Sequence, residues 1–370
     1  MENVFAFADE WGPAKIIHVY EPEIGLKGIL VVDNVAVGPA IGGLRIAPDV
    51  SVGECFRLAR AMTLKNVSAG LPHGGAKSVL FGDPKMPRER KERLVRAMAC
   101  ALRDCRDYIF GPDMGTDETC MGWVRDEIGR AVGLPEALGG IPLDELGLTA
   151  WGLRHAVEVA APMAGFELAG ARVVVQGFGA VGRHAARFLG ELGAVLVGAA
   201  DSRGTLYDPD GLDVGHLIAL KNAGGSLLDA EKGQKLDQDA VIDLECEIWI
   251  PAARPDVVTE ENVHRLRTRL VAQGANVPLT VGAERILHRQ GVLNLPDFIA
   301  NAGGVICGAL EYRGASRKQV FDTVEEKIRV NTVKMLQGVK AEGRMPREVA
   351  TDMAMSRLRQ AMNTRRWKVF

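Results

Sequence analysis

The apolar and polar positions change period several times along the chain, and each change marks an element. Residues 26–37, LKGILVVDNVAV, read as a strand broken at Asp33-Asn34. From Gly53 to Ala69 the spacing turns helical, with Cys55, Leu58, Ala59 and Met62 on one face at about 100° per residue. Lys65 follows Leu58 by seven positions, so it projects close to the apolar face, either snorkelling from the core edge or turned into a cleft. The stretch 87–105 predicts an amphipathic helix. Leu94, Met98, Ala101, Leu102 and Cys105 form its inner stripe, and Glu89 and Glu92 can pair with Arg93 and Arg96.

The pattern loosens over 139–148, GGIPLDELGL, a hinge between domains. A βα alternation begins at Ala171. Strand 171–176 leads through glycines into a helix over 180–192 closed by Gly193, and strand 194–200 stops at Asp201. Residues 247–253, 269–276 and 292–298 supply further strand-to-loop junctions, the alternation of a doubly wound parallel sheet. After Glu311 the chain reads as long helix with Phe321, Val324, Ile328, Met335 and Val339 facing inward. A last helix near 346–362 is expected to return to the first domain. The fold class is therefore α/β: an N-terminal α/β domain over 1–145, joined by helix 340–370, and a Rossmann-type dinucleotide-binding domain over 146–339.

Composition narrows the function. At 370 residues the chain is long enough for two cores, and a formal charge of −2 gives no reason to expect nucleic acid as a partner. No apolar run approaches membrane-spanning length, and the N-terminus lacks the basic start and long apolar stretch of a secretory signal. Six cysteines without a CxxC pair read as reduced thiols in a cytoplasmic protein. The histidines show no HxxxH pair or His/Cys cluster, so no metal site is expected.

Gly177-Phe178-Gly179-Ala180-Val181-Gly182 matches GxGxxG between a strand and a helix, with Asp201 ending the next strand. The first glycine permits the turn, the second admits a pyrophosphate to the backbone, and the third lets helix and strand pack closely. Asp201 is placed for ribose hydroxyls, which favours NAD; Arg203 nearby keeps NADP open. Ala252, in Pro251-Ala252-Ala253, and Asn276, in Gly274-Ala275-Asn276, fall at strand carboxyl ends, the edge where open α/β sheets bind ligands.

In the first half a glycine-framed lysine, Lys77 in LPHGGAKS (71–78), follows Lys65 in MTLKN (62–66) by twelve residues. With GPAIGGLR (38–45), GPDMGT (111–116), QGFGAVG (176–182), AQGANVPLT (272–280) and PDFIANAGGV (296–305), these segments resemble the glutamate/leucine/phenylalanine/valine dehydrogenase family over nearly the whole chain. The resemblance implies a first domain for substrate and oligomerisation, a second for the nicotinamide cofactor, and catalysis in the cleft between them. It implies that Lys65, with Met62 on the same helix, serves substrate binding, with Lys65 holding the α-carboxylate. Lys77 would be the base that activates water, and Asp113 would share in proton transfer with the amino group. Gly42 and Gly43 would let the backbone lie close to the substrate, while Thr149, Asn276 and Asn301 would orient the nicotinamide. A free lysine titrates near about 10.4, too high for a neutral-pH base, but burial and the neighbouring charge of Lys65 would both lower it. Homo-oligomers, hexamers or octamers, are implied as well.

Departures from the family pattern bear on the substrate. Glutamate-specific members carry a lysine at the position of Ile41 and a serine at that of Gly308, both gripping the distal carboxylate. Their absence points to an L-amino acid with a nonpolar side chain, of the leucine, valine or phenylalanine type, since burying an unpaired carboxylate costs several kcal/mol. Segments such as RIAPDV (45–50) and CMGWVRDE (120–127) are closer to the glutamate branch, which stays the alternative, as does a catalytically silent nucleotide- and amino-acid-binding relative. Ser78, where many relatives have glycine, is expected to alter how closely the catalytic loop approaches its ligand. A hydroxy-acid dehydrogenase is disfavoured because no histidine base or carboxylate cluster stands out.

Overall fold

The computed structural model describes residues 5–369; Met1–Val4, which open the segment read as lacking a signal, and Phe370 lie outside them. In chain order the first elements are β1 (Lys15–Glu21), β2 (Leu26–Asn34), β3 (Ala40–Ala47), α1 (Val52–Ser68), β4 (Gly75–Phe81), α2 (Arg88–Ala101), β5 (Tyr108–Pro112) and α3 (Glu118–Ile128). They are followed by α4 (Leu143–Leu146), α5 (Leu148–Ala160), β6 (Arg172–Gln176), α6 (Ala180–Gly190), β7 (Val195–Ala200), β8 (Thr205–Tyr207), α7 (Val214–Asn222) and β9 (Gln234–Leu236). Then come β10 (Ile248–Pro251), β11 (Leu270–Ala272), α8 (Val281–Arg289), β12 (Leu293–Leu295), α9 (Asp297–Ala300), α10 (Gly303–Glu311), α11 (Arg317–Glu342) and α12 (Pro346–Thr364).

These elements form two compact units: Met1–Pro142 with Val305–Val320 and Thr351–Phe370, and Leu143–Gly304 with Phe321–Ala350. The division departs from the 1–145, 146–339 and 340–370 boundaries at both late segments. Residues 305–320 join the first unit because the buried Glu311 carboxylate accepts the amides of Gly133 at 2.7 Å, Leu134 at 3.1 Å and Ile141 at 2.9 Å. Residues 340–350 stay with the second, where Arg347 donates to Glu284 and Asp297.

In the first unit five strands run in the order β1-β2-β4-β3-β5. β3 is parallel to both β4 and β5, whereas β2 is antiparallel to its neighbours. The break foreseen at Asp33-Asn34 is a register shift between Val32 and Asn34. α1 begins at the Ser51 cap, which accepts from the Glu54 amide. Its buried line is Cys55, Ala59, Thr63, Asn66 and Val67, while the expected Leu58 and Met62 are half-buried. The helix is rotated because Gly75 brings β4 against it: a Cβ there would meet the Thr63 amide nitrogen at 2.0 Å. Thr63 can be buried because it donates to Asp33 at 2.6 Å, and Asn66 because it donates to Gly74 O at 2.7 Å. On α2 the stripe is centred on Val95, Met98 and Leu102, which leaves Ala101 exposed; Glu92 pairs with Arg96 at 2.9 Å.

The second unit holds seven strands in the order β12-β11-β10-β6-β7-β8-β9. The first five are mutually parallel, and β8 and β9 extend them antiparallel. The chain moves from β6 to β7 on one side and later to β10 on the other, so the strand order reverses between β6 and β10. Helix α6 stops at Gly190, and Gly193, at φ +86, makes the turn into β7. Of the inward residues foreseen on α11, Val324, Ile328, Met335 and Val339 are buried and Phe321 is half-buried.

Candidate functional site

In the first unit the register places Gly43 of β3 beside Lys77 of β4 and opposite Gly111 of β5, with Asp113 just past the end of β5. Ile41, Gly43 and Arg45 alternate onto one face of β3, the face on which α1 packs against Gly75. Gly43 is the gap in that row. A Cβ there would lie 2.8 Å from the Asp113 Cβ and 3.4 Å from the Lys77 Nζ. Through the gap Lys77 Nζ reaches Asp113 Oδ2 at 2.7 Å, with the lysine side chain 6% exposed and the carboxylate 22%. Arg45 donates from Nε to the same oxygen at 2.8 Å and from Nη1 to Glu54 Oε1 at 2.8 Å.

Burial is the largest influence on Lys77 and lowers it from the ordinary lysine value; Asp113 opposes that, and the nearby Arg45 charge adds to it. Arg45 is thus a cation bearing on Lys77 that the sequence reading, which named Lys65, did not include. Burial alone would raise Asp113, but Lys77 and Arg45 hold it below the usual carboxylate range. The result is a buried amine biased toward its neutral form, against a carboxylate that keeps its charge. Such a pair can take a proton from water and return one to a leaving amine.

The coenzyme half lies in the second unit at the reversal between β6 and β10. Gly177, at φ +100, turns so tightly against the β10 loop that a Cβ would lie 2.7 Å from the Ala253 amide nitrogen. Gly182 packs on Gly177 O, where a Cβ would come to 2.0 Å, while Gly179 is exposed with nothing within 4 Å. Gly179 caps α6 without a side-chain hydrogen bond, leaving the first amides of the helix directed at an open position suited to a pyrophosphate. These residues fit a dinucleotide.

One family description, Glutamate/Leucine/Phenylalanine/Valine dehydrogenase, matches residues 139–366, and a second, Glu/Leu/Phe/Val dehydrogenase, dimerisation domain, matches 13–130. The chain belongs to this dehydrogenase family. It is an amino acid dehydrogenase, an oxidoreductase of the NAD(P)-dependent kind. A glutamate dehydrogenase of Aeropyrum pernix is 36% identical to it over 90% of this chain and 85% of the relative. The NADP(+)-dependent glutamate dehydrogenase of Pyrobaculum calidifontis is 34% identical over 92% and 87%. The NAD-specific glutamate dehydrogenase of Staphylococcus aureus is 37% identical over 75% and 70%. Among solved structures, the hetero-hexameric glutamate dehydrogenase of Thermus thermophilus superposes with a TM-score of 0.84 at 31% identity, covering 95% of this chain and 90% of the other.

In this dehydrogenase the expected glycine pair divides. Gly43 opens onto Lys77 and Asp113, whereas Gly42 faces the Ala76 carbonyl of β4 and accepts from the Tyr108 hydroxyl at 2.9 Å, a packing role. Ser78, expected to alter the ligand approach, is wholly buried on the opposite face from Lys77, bonded to Tyr108 Oη at 2.8 Å. Phe178, foreseen as a coenzyme contact, donates its amide to Ala200 O at 2.9 Å and buries its ring, so it holds the turn instead. Ala180 and Val181 stay half-buried on the first turn of α6. Lys65 and Met62 are half-buried on α1. Ile41 is buried on the Lys77 face, and a Cβ on Gly308 would touch Val132 at 3.4 Å.

Asn301 donates to Ala275 O at 3.0 Å and Asn276 Oδ1 at 3.2 Å, while its own buried Oδ1 has no partner among the described residues. Thr149 lies next to the same segment, its Oγ1 3.3 Å from a Cβ built on Gly304. Ala252 donates to Gln176 O at 2.7 Å, just past the end of β10. Asp201, expected to accept from ribose hydroxyls, is already engaged by protein donors. It accepts from the Arg203 amide at 2.9 Å, Lys221 Nζ at 3.0 Å, Ser226 Oγ at 3.0 Å and the Leu227 amide at 3.0 Å. Two residues escaped the sequence reading: Arg45, which the two-residue period from Gly43 could have found, and Lys221, for which no local signal exists.

Proposed function

We propose that this chain catalyses the reversible NAD(P)-dependent oxidative deamination of an L-amino acid to its 2-keto acid and ammonia. The observation that carries the reading is the contact of buried Lys77 with half-buried Asp113 beneath the gap at Gly43. Lys65 would hold the α-carboxylate. The nicotinamide, when bound, would supply the hydride acceptor for Cα. Asp113, as a carboxylate, first accepts a proton from the substrate ammonium; neutral Lys77 then accepts one from the water that adds to the iminium carbon, and Asp113 returns its proton to the departing nitrogen, giving ammonia and the keto acid. The first amides of α6 would hold the pyrophosphate, and Thr149, Asn276 and Asn301 the carboxamide of the ring.

For the side chain, glutamate has the greater support, because curated relatives at 34–37% identity carry that substrate in their names. A nonpolar side chain is the second reading, favoured by buried Ile41 on the Lys77 face and by the missing side chain at Gly308. An assay of ammonia release and coenzyme reduction with glutamate, leucine, valine and phenylalanine separates them. A higher kcat/KM for glutamate establishes the first reading, and a tenfold preference for any of the others the second. Assembly into a homo-oligomer through residues 13–130 is supported by the match to a dimerisation domain. A cytoplasmic setting agrees with six unpaired cysteines, and no helix among the described residues is long and apolar enough to cross a membrane.

A further inference from the structure

We propose that Arg45 is a positioning residue of this site: it fixes which oxygen of Asp113 faces the reacting atoms and sets a fixed cation on the oxygen that Lys77 also contacts. The inference deepens the reading of Lys77 as base and rests on it. Arg45 Nε and Lys77 Nζ converge on the same oxygen, Oδ2, at 2.8 and 2.7 Å. Both contacts fall on Oδ2, so Oδ1 is the oxygen left to exchange protons with a ligand. The guanidinium cannot swing away, because its Nη1 is held by Glu54 in the first turn of α1. Its side chain is 17% exposed, so water screens the charge weakly.

The charged and titratable groups around Lys77 come from three neighbouring elements: Arg45 on β3, Asp113 after β5, and Glu54 and Cys55 on α1. Cys55 is a thiol there, pushed up to about 12 by burial, so it adds no charge at neutral pH. Without the guanidinium, the Asp113 carboxylate would act on Lys77 without the cation that now shares its Oδ2. A lone carboxylate at hydrogen-bond distance favours the ammonium form, the wrong form for a base. Arg45 therefore offsets the cost of placing an acid and a base side by side.

The test compares wild type, Arg45→Gln and Arg45→Lys by two readouts across pH: kcat/KM for deamination, and the rate at which cyanate carbamylates Lys77, read by peptide mass spectrometry. Cyanate reacts with neutral amines, so the second readout needs no turnover. In Arg45→Gln the acidic limb of kcat/KM and the carbamylation midpoint should both move up by roughly one pH unit. In Arg45→Lys the midpoint should return toward wild type, while kcat stays reduced because a single ammonium nitrogen cannot occupy the separate Nε and Nη1 positions that reach Asp113 and Glu54. An unmoved carbamylation midpoint in folded Arg45→Gln overturns the proposal. If Arg45→Gln does not fold, Arg45→Lys decides, a wild-type kcat counting against it and a reduced kcat with unchanged coenzyme KM for it. Should the wild-type protein show no deamination at all, the reading of Lys77 as base falls, and carbamylation still decides what Arg45 does to the amine.

Discussion

Lys77 Nζ and Asp113 Oδ2 lie 2.7 Å apart, and they meet because the β3 residue beside them is Gly43. The contact depends on a missing side chain. Gly43→Ala places a Cβ 2.8 Å from both the Asp113 Cβ and Pro112 O, so the carboxylate must shift. Since a displacement of about 1 Å at a reacting group can lower the rate about 100-fold, kcat should fall by about that factor with coenzyme KM unchanged. Steady-state kinetics beside circular dichroism checks this. A folded variant with wild-type kcat would show that the gap is dispensable.

Asp201 predicts coenzyme choice. Four protein donors occupy its carboxylate, leaving little capacity for ribose hydroxyls, and the Lys221 ammonium stands 3.0 Å from it. A 2′-phosphate would find that cation attractive. NADPH should therefore be used at least as well as NADH. Lys221→Ala should lower kcat/KM for NADPH about tenfold relative to NADH, the size of one charge-assisted hydrogen bond. A wild-type preference for NADH that Lys221→Ala leaves unaltered would return Asp201 to the ribose role.

The same carboxylate makes the fold sensitive to acid. Burial would raise Asp201, but the Leu227 and Arg203 amides with Lys221 and Ser226 hold it down to about 2 from an ordinary 3.8. A depressed folded value stabilises above the unfolded one, and that contribution is lost as pH falls from about 4 toward 2. It amounts to about 2 kcal/mol. Asp201→Asn should be less stable than wild type at pH 6, with the gap closing near pH 2, measured by denaturant titration at each pH.

Arg347 ties the second unit together. It donates to Glu284 at 2.6 Å and to Asp297 at 3.0 Å, and Asp297 in turn accepts the Val277 amide at 2.9 Å beside Asn276. Arg347→Ala would leave Glu284, 2% exposed, as a buried charge without its cation. The expected loss is about 3–5 kcal/mol, with partial recovery in Arg347→Lys. Urea midpoints of the three proteins decide it, and a loss below about 1 kcal/mol would mean that water or a neighbour replaces the guanidinium.

Local chemistry explains what could be foreseen. The GxGxxG turn, the strand ending at Asp201 and the alternation that builds the parallel sheet are written in consecutive residues, so the coenzyme half was readable. Lys77 and Asp113 were readable through their motifs, yet not as a contact, because β3 supplies the opening between them. What stayed hidden is tertiary. Glu311 gathers three amides from residues 133–141 and so draws α10 from Val305 onward into the first unit, although nothing in its own helix signals that role. Lys221 and Ser226 reach Asp201 from twenty and twenty-five residues downstream, and Ser78 turned from the ligand side to Tyr108 by the alternation of its strand.

The most direct measurement follows NADH and NADPH oxidation at 340 nm with 2-oxoglutarate and branched 2-keto acids, with and without ammonium, for wild type and Lys77→Ala. Ammonium-dependent oxidation in the wild type is expected, falling about 1,000-fold in Lys77→Ala while coenzyme binding persists. Ammonium-dependent turnover that survives the loss of the Lys77 amine would contradict the assignment of that amine as the base.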